Sequence, residues 1–409
     1  MVNIQTLVAV VKAAAVEAAD HQERFAADDT EARKIVDTME RFLRIKARVV
    51  YGGAAVNAHL PASKKFYDPS LYLPDYDFMT PDPLQDCADL ITAFQNEGFT
   101  EIEAKFGIHE GTYKVFVNFR AAADITYMPR DIYEQIMIDS TAIDGIHYAS
   151  VNYLRMNIYL ELSRPAGMVS RWEKVYERLL LLNEEYPIRP GRCMKEPLKA
   201  LASTESSAIT ENIIAIGIEA GVIFLSGASM LTTPTDIHSE IVLIMTDRKE
   251  DILSKVHLKQ SRFDAIGEII PSRTELYDDT TLVAVLFDTV ACHNYTTLES
   301  PKGYRLGSID LLIQMYYAMY FTNLQHYVPV RLLCVIQELI DLETTRRRAA
   351  AKGKLRPSEV FPLTCVGHQP SMPELKKAHR TRVAEKRKDL VKALKMQESF
   401  RVTRRRTRR

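Results

Sequence analysis

Apolar residues recur every three or four positions through most of residues 1–45, with Leu43 and Ile45 near the end, which predicts helix. The period then changes. In ARVVYGGAAVNAHLP a short β-rich run, Val49-Val50-Tyr51, meets Gly52-Gly53 and a small-residue helix start, so strand, tight turn and helix should follow one another. Residues 71–79 (LYLPDYDFM) alternate as a strand does, with Asp75 and Asp77 on one side and Tyr76 and Phe78 on the other. A helix over 83–97 should end near Gly98, followed by strands at 112–119 and 123–127. Helical spacing returns from about Tyr148 to Leu162 and breaks at Ser163-Arg164-Pro165. Another helix should start at Ser170, with Glu173 at capping-box distance. The longest apolar stretch, Ile213 to Leu231, holds Glu219, glycines and Ser226, which fits a buried helix running into a buried strand better than a membrane span.

Three carboxylates and two glycines stand out of this pattern. Backbone N–H groups at a strand–Gly52-Gly53–helix turn are suited to phosphate, and only glycine lets the backbone approach a triphosphate closely. A glycine pair alone is weak evidence, because structural turns of this kind are common. Asp75 and Asp77 share a strand face, and carboxylates that close repel unless a cation lies between them. Asp124, in the ADITY strand, would complete a cage for two divalent ions of the kind used in in-line phosphoryl displacement. A lone DxD is usually a solvated strand edge; the ordered set of GG, DxD and a later strand Asp is far more specific.

That order resembles the polymerase-β-like nucleotidyltransferase superfamily. YGGAAVNAHL, PDYDFM, ADITYM and the run from Tyr153 to Pro187 (YLRMNIYLELSRPAGMVSRWEKVYERLLLLNEEYP) resemble the poly(A) polymerase catalytic subunits of nucleocytoplasmic large DNA viruses. The resemblance is specific from about Val49 to Pro187 and diffuse to about residue 330. It implies a mixed α/β fold, AMP addition from ATP to an RNA 3′ end, and two Mg²⁺ or Mn²⁺ ions held by Asp75, Asp77 and Asp124. It places Gly52 and Gly53 on the nucleotide phosphates. The implied setting is host cytoplasm at sites of viral transcription, with packaging in the virion and a homodimer both open. Ala54 stands where many members of the superfamily have Ser, so a hydroxyl contact to the triphosphate is missing and Asn57 or backbone groups would substitute. Ser150, Arg171 and Lys174 are further candidates for nucleotide contact. Arg164, Arg171 and Lys174 read more readily as surface or capping residues, and Trp172, the only tryptophan, more readily as a buried anchor than as a base-stacking platform. Two alternatives remain open: a terminal nucleotidyltransferase of other base specificity, and a silent RNA-binding subunit.

The second half of the chain parallels the first. VYGGAAV (50–56) matches FLSGASM (224–230). DYDFMTPDPLQDCADLI matches IVLIMTDRKEDILSKV, which places Ile241 and Leu243 where Asp75 and Asp77 stand. ADITY matches ACHNY (291–295), placing Cys292 at the Asp124 position, and Gly145 and Ser150 fall over Gly303 and Ser308. The expected organisation is therefore a helical N-terminal segment (1–45), a catalytic nucleotidyltransferase domain (46–200), a degenerate nucleotidyltransferase-like copy (201–345) and a basic tail (346–409).

Composition changes this picture in two places. The formal net charge is zero, but residues 346–409 carry 21 Lys/Arg against 5 Asp/Glu, about +16 on a body of about −16. Such a tail suits single-stranded RNA, a solvated end or a localisation signal. The five cysteines are scattered, with no CxxC pair. Their spacing argues against a disulfide framework or a zinc site and for a reducing compartment.

Overall fold

A computed structural model of the chain describes residues 8–18, 29–67, 74, 76–188, 207–226, 241–267, 269–297, 304–322, 329–386 and 388. In the first half a helix over 8–18 (α1) precedes α2 (Thr30–Lys46), β1 (Val49–Tyr51), α3 (Gly52–His59), β2 (Tyr76–Thr80), α4 (Pro83–Asn96), β3 (Ile102–Phe106), β4 (Thr112–Val117), β5 (Arg120–Tyr127), α5 (Arg130–Ile138), β6 (Thr141–Ile143), β7 (Ile146–Tyr148), α6 (Val151–Leu162) and α7 (Trp172–Glu185). The second half runs α8 (Ser207–Ala220), β8 (Ile223–Phe224), β9 (Val242–Thr246), α9 (Lys249–Leu253), β10 (Lys259–Phe263), β11 (Arg273–Asp278), β12 (Thr281–Asp288), β13 (His293–Thr297), β14 (Arg305–Gly307), α10 (Ile309–Phe321), α11 (Pro329–Ala351), α12 (Pro357–Val360) and β15 (Cys365–Val366), then a helix over 372–386 (α13).

Alternation builds the first sheet. Along β4 and β5, Tyr113, Val115, Val117, Ala123 and Ile125 are buried, while Lys114, Asp124 and Thr126 between them are half-buried. The apolar side lies under α2 and α4, which contribute Ile35, Met39, Phe42, Leu43, Leu90 and Phe94 to the core. Asp29 caps α2 by accepting from the N–H groups of Glu31 (2.9 Å) and Ala32 (3.3 Å). A tight turn at Asn118 and Phe119, both in the left-handed region, joins β4 to β5. Of the Ile213 to Leu231 stretch, the described part, 213–226, is α8 running into β8, with Ile213, Ile214, Ile216, Ile223, Phe224 and Leu225 buried; among the described residues no helix is long and apolar enough to cross a membrane.

The two sheets have the same strand plan. The first runs β3-β4-β5-β2-β1-β7-β6; the second runs β10-β11-β12-β9-β8-β14-β13, with β15 added at its edge. Every shared pairing keeps its direction: β1–β7 and β2–β5 are parallel, as are β8–β14 and β9–β12, and the other neighbours are antiparallel. Even an irregularity recurs, between Val115 and Phe116 in the first sheet and between Leu276 and Tyr277 in the second. Ser150 and Ser308 are equivalent N-caps, accepting from the N–H three residues on at 3.4 and 3.1 Å. The mixed α/β fold with a tandem copy is thus observed. The equivalent helices α6 and α10 pack antiparallel: the Tyr153 ring lies 5.4 Å from that of Phe321, and the Tyr317 hydroxyl reaches Asn152 Oδ1 at 3.3 Å. The Tyr159 hydroxyl donates to buried Glu343 (2.9 Å), which ties α6 to α11 as well.

Several expectations need correction. Cys292 is not at the Asp124 position. Asp124 is the partner of Asp77, and the equivalent partner of Leu243 is Val285; Cys292 directly precedes β13. The copy of β5 is β12, buried through its middle on both faces, so the alternation that marks β5 is gone and the ACHNY match selected the wrong strand. Nor are all cysteines reduced. Cys292 and Cys365, 73 residues apart, are joined by a disulfide because β15 pairs with β13, and Cys334 is disulfide-bonded too; Cys87 alone is free and buried among the described residues. Sequence spacing cannot reveal a pair made by strand addition. Ser170 is not a cap: it lies in a short 3₁₀ turn, and α7 begins at Trp172 without a side-chain cap. The 345/346 boundary falls inside α11, and residues of the basic segment fold back onto the first half. Arg382 of α13 donates to Ile108 O (2.8 Å), and Lys386 lies over the rings of Phe106 and Tyr113. α2, placed in a separate N-terminal segment, is part of the first half's core. The strand expected over 71–79 is described from Tyr76 onward, with 71–73 and Asp75 outside the described residues, as are 227–230 and Gly303 of the repeat.

Candidate active site

The site grows from one row across the first sheet. Tyr51 is the partner of Asp77, Asp77 of Asp124, and Asp124 of Lys114. Direct cross-strand partners share a face, so these four side chains stand together on the polar side. Two carboxylates are thereby held on neighbouring parallel strands, about 4.8 Å apart at the backbone. The Lys114 ammonium lies against the Asp124 carboxylate. The Tyr51 hydroxyl is fixed by Thr126 Oγ1 at 2.8 Å, one step along the same face.

β1 ends at this row and turns into α3 through the two glycines, each facing a different neighbour. Gly52 has φ +73°, and a Cβ there would lie 2.6 Å from Asp77 Oδ2. A side chain would be strained and would strike the carboxylate. A Cβ on Gly53 would lie 3.0 Å from an Arg178 guanidinium nitrogen. Arg178 reaches over from α7, stacks 4.5 Å above the Phe66 ring and donates to the Tyr67 hydroxyl at 2.7 Å. The first turn of α3 therefore presents backbone N–H groups beside a fixed guanidinium, an arrangement suited to anionic oxygens.

Asn57 has a different task from the one expected. Its amide accepts from the N–H groups of Phe66 (2.9 Å) and Tyr67 (3.0 Å) and donates to Tyr67 O (3.0 Å). It clamps the loop that carries Arg178's stacking partners, and so shapes the site from behind. Ser150 caps α6 at the end of β7, which runs parallel to β1, so the α3 and α6 N-termini open at the same end of the sheet. Arg171 is paired with Glu161 at 3.0 Å, and Lys174 is an exposed residue one turn before Arg178. Trp172 is an anchor: its indole N–H donates to Glu161 O at 3.1 Å and its ring faces Phe361. Arg155, in the Tyr153–Pro187 run, is buried and ties α6 to α7 through Asn152, Asn183, Leu182 O and Tyr186 O.

Arg178 is the residue that sequence reading missed. Its only signal was its place one turn beyond Lys174 on a helix of mixed charge; its target, Gly53, is 125 positions away.

The donor set fits a divalent ion. Asp77 and Asp124 offer hard oxygen ligands of the kind Mg²⁺ and Mn²⁺ take, and the Lys114 ammonium shows that this spot calls for positive charge. Among the described residues no three His, Cys, Asp or Glu side chains are grouped closely enough to hold a metal, and Asp75 lies outside them.

Comparison with known proteins bears on the same segment. Residues 37–168 match the family model described as Poly(A) polymerase catalytic subunit. A protein of Acanthamoeba polyphaga mimivirus, provisionally named a poly(A) polymerase catalytic subunit, is 34% identical over 162 residues, covering 39% of this chain and 27% of that protein. An African swine fever virus protein with the same provisional name is 25% identical over 168 residues, 40% of this chain and 35% of that protein. The chain thus spans about a third or less of the length of these relatives. The crystal structure of the Megavirus polyadenylate synthase superposes with a TM-score of 0.76 at 18% identity, over 95% of this chain and 85% of that one.

Proposed function

We propose that the chain is a template-independent polynucleotide adenylyltransferase, adding AMP from ATP to RNA 3′ ends; the match of residues 37–168 to the poly(A) polymerase catalytic subunit model and the likeness of the fold to the Megavirus polyadenylate synthase support this reading. One observation carries the reading: Asp77 and Asp124 are partners on parallel strands, directly beside a glycine turn whose first residue has no room for a side chain next to Asp77.

In this reading each group has a task. The N–H groups of the α3 first turn and the Arg178 guanidinium bind the triphosphate. Asp75, Asp77 and Asp124 would hold Mg²⁺ or Mn²⁺, which supply a lowered pKa for the 3′-hydroxyl and charge neutralisation at the triphosphate. The hydroxyl oxygen forms a bond to the α-phosphorus, the α–β bridging P–O bond breaks, pyrophosphate leaves and the hydroxyl proton passes to solvent. Gly52 keeps the backbone low enough for the phosphates to approach Asp77. Ser150, at the neighbouring helix start, borders the same opening. The basic segment 346–409 is assigned to single-stranded RNA, whose phosphates it would neutralise without regard to sequence. Viral transcription sites in the host cytoplasm, presence in the virion and a homodimer belong to this proposal.

Primer extension on a short labelled RNA, with each NTP separately and with Mg²⁺ or Mn²⁺, tests it. Long products with ATP alone, lost in Asp77→Ala, are expected. Short products with another nucleotide would keep the site and change the product; no incorporation under any condition would leave an RNA-binding subunit.

A further inference from the structure

Lys114 stands apart from the other basic residues near the site. It lies on β4 as the direct partner of Asp124, on the face that carries Asp77 and Tyr51. Its ammonium contacts Asp124 Oδ2, one of the oxygens that a divalent ion would need. Two cations of like charge do not share one carboxylate oxygen without cost. The second sheet provides an internal control. There Leu243 and Val285 replace Asp77 and Asp124, and the place of Lys114 is taken by Glu275, a buried residue held by Arg273 (3.0 Å) and the Tyr277 hydroxyl (2.5 Å). Where the carboxylates are gone, the lysine is gone as well, and the rest of the strand plan is retained. A lysine serving only to hold β4 to β5 would have no reason to vanish with them, since the two strands pair equally well in both sheets.

We infer that Lys114 is a built-in counter-ion of the metal site: it holds Asp124 neutralised and in place while no ion is bound, and would give up that contact wherever Asp124 holds a divalent ion. The inference rests on the proposed reading of Asp77 and Asp124 as metal ligands. With no ion bound, the Lys114 ammonium offsets one of the two charges of the Asp77/Asp124 pair, so the carboxylates repel each other less. Lys114 thereby sets the concentration at which the ion enters. It is a positioning residue, acting through Asp124.

The test is Mn²⁺ binding to the purified full-length protein without nucleotide, followed by electron paramagnetic resonance of the free ion. Lys114→Met should bind Mn²⁺ more tightly than wild type, by roughly two- to fivefold, the range open to a half-exposed pair. Lys114→Arg, which keeps the charge, should stay close to wild type, and Asp124→Asn should bind far more weakly than either. Lys114→Gln serves the same purpose if the methionine variant does not fold, with circular dichroism as the check. Unchanged or weaker Mn²⁺ binding in folded Lys114→Met or Lys114→Gln would overturn the inference while leaving the metal site intact. Absence of Mn²⁺ binding in the wild type would overturn both.

Discussion

The rows Tyr51–Asp77–Asp124–Lys114 and Leu225–Leu243–Val285–Glu275 occupy the same places in two sheets of the same strand plan. In the first row the residues are half-buried and polar. In the second Leu225, Leu243 and Val285 are buried and apolar, and Glu275 is buried in a closed network. The frame is kept by features outside these two rows: the serine caps, the recurring bulge and the packing of α6 on α10. Fold and site are therefore separable in this molecule. Losing the carboxylates let the second sheet bury a face that the first must leave open.

The sharpest way to break the comparison is to exchange the Asp124 and Val285 positions. If Asp124 holds metal as proposed, Asp124→Val should lower nucleotide incorporation by about 10³-fold. Its melting temperature should change little, since the position is half-open and sits between buried apolar neighbours. Val285→Asp should do the reverse. It creates no activity and costs on the order of 3 kcal/mol in chemical denaturation, because it buries a carboxylate beside Glu275. Equal stability losses in the two variants would mean that the rows are not physically different.

Gly52 offers the next largest effect. Gly52→Ala should lower incorporation by about 100-fold, by pushing Asp77 aside, and cost about 1–2 kcal/mol from the positive φ. Its counterpart Ser226, whose Oγ accepts from Leu243 N–H at 3.3 Å, should tolerate glycine with no loss of incorporation. Unaltered incorporation by Gly52→Ala would show that Asp77 need not stay where the turn puts it.

How much of this was legible beforehand follows from where each signal lies. The glycine pair and the Asp77/Asp124 strands could be read because residues next to each other in sequence alternate, and the alternation survives on a half-buried face. The Leu243 equivalence could be read because Met79-Thr80 and Met245-Thr246 anchor it. The equivalence of Val285 could not, since full burial erases alternation. Asn57 looked like a ligand because a small polar residue follows the glycine turn; only the path of the 61–67 loop shows that its amide is already used. Arg178 and the Cys292–Cys365 bond depend on elements meeting across long separations, and no local pattern carries that.

His293 joins the comparison where the two halves meet. It starts β13, next to Asn294, whose N–H donates to Ser163 O of the first half at 3.0 Å. The imidazole is buried with neither ring nitrogen hydrogen-bonded among the described residues, and burial, with the Arg164 charge adding to it, pushes its pKa down to about 3. The folded value lies below the unfolded one of about 6.5. The neutral ring's contribution is therefore intact above pH 6.5 and is lost as pH falls toward 3, at up to about 1.4 kcal/mol per pH unit. Denaturant titrations at pH 7 and pH 5 should show that slope in the wild type and a shallower one in His293→Gln. Equal slopes would place the acid sensitivity elsewhere.

Arg178 gives the smallest effect. Its guanidinium is stacked and hydrogen-bonded before any nucleotide arrives, so its contribution to binding is preorganised. Removing it should act on substrate affinity more than on the chemical step. Arg178→Ala should raise KM for ATP about tenfold, with kcat changed less, as expected for loss of a charge-assisted contact. Arg178→Lys keeps the charge but cannot both stack on Phe66 and reach the Tyr67 hydroxyl, so it should recover only part of that affinity. Steady-state kinetics of ATP incorporation separates these outcomes. A fall in kcat at constant KM would move Arg178 from holding the triphosphate to stabilising its transition state. No change in either constant would leave it as a prop for the 61–67 loop, and the phosphate-binding role would pass to the backbone N–H groups of α3 alone.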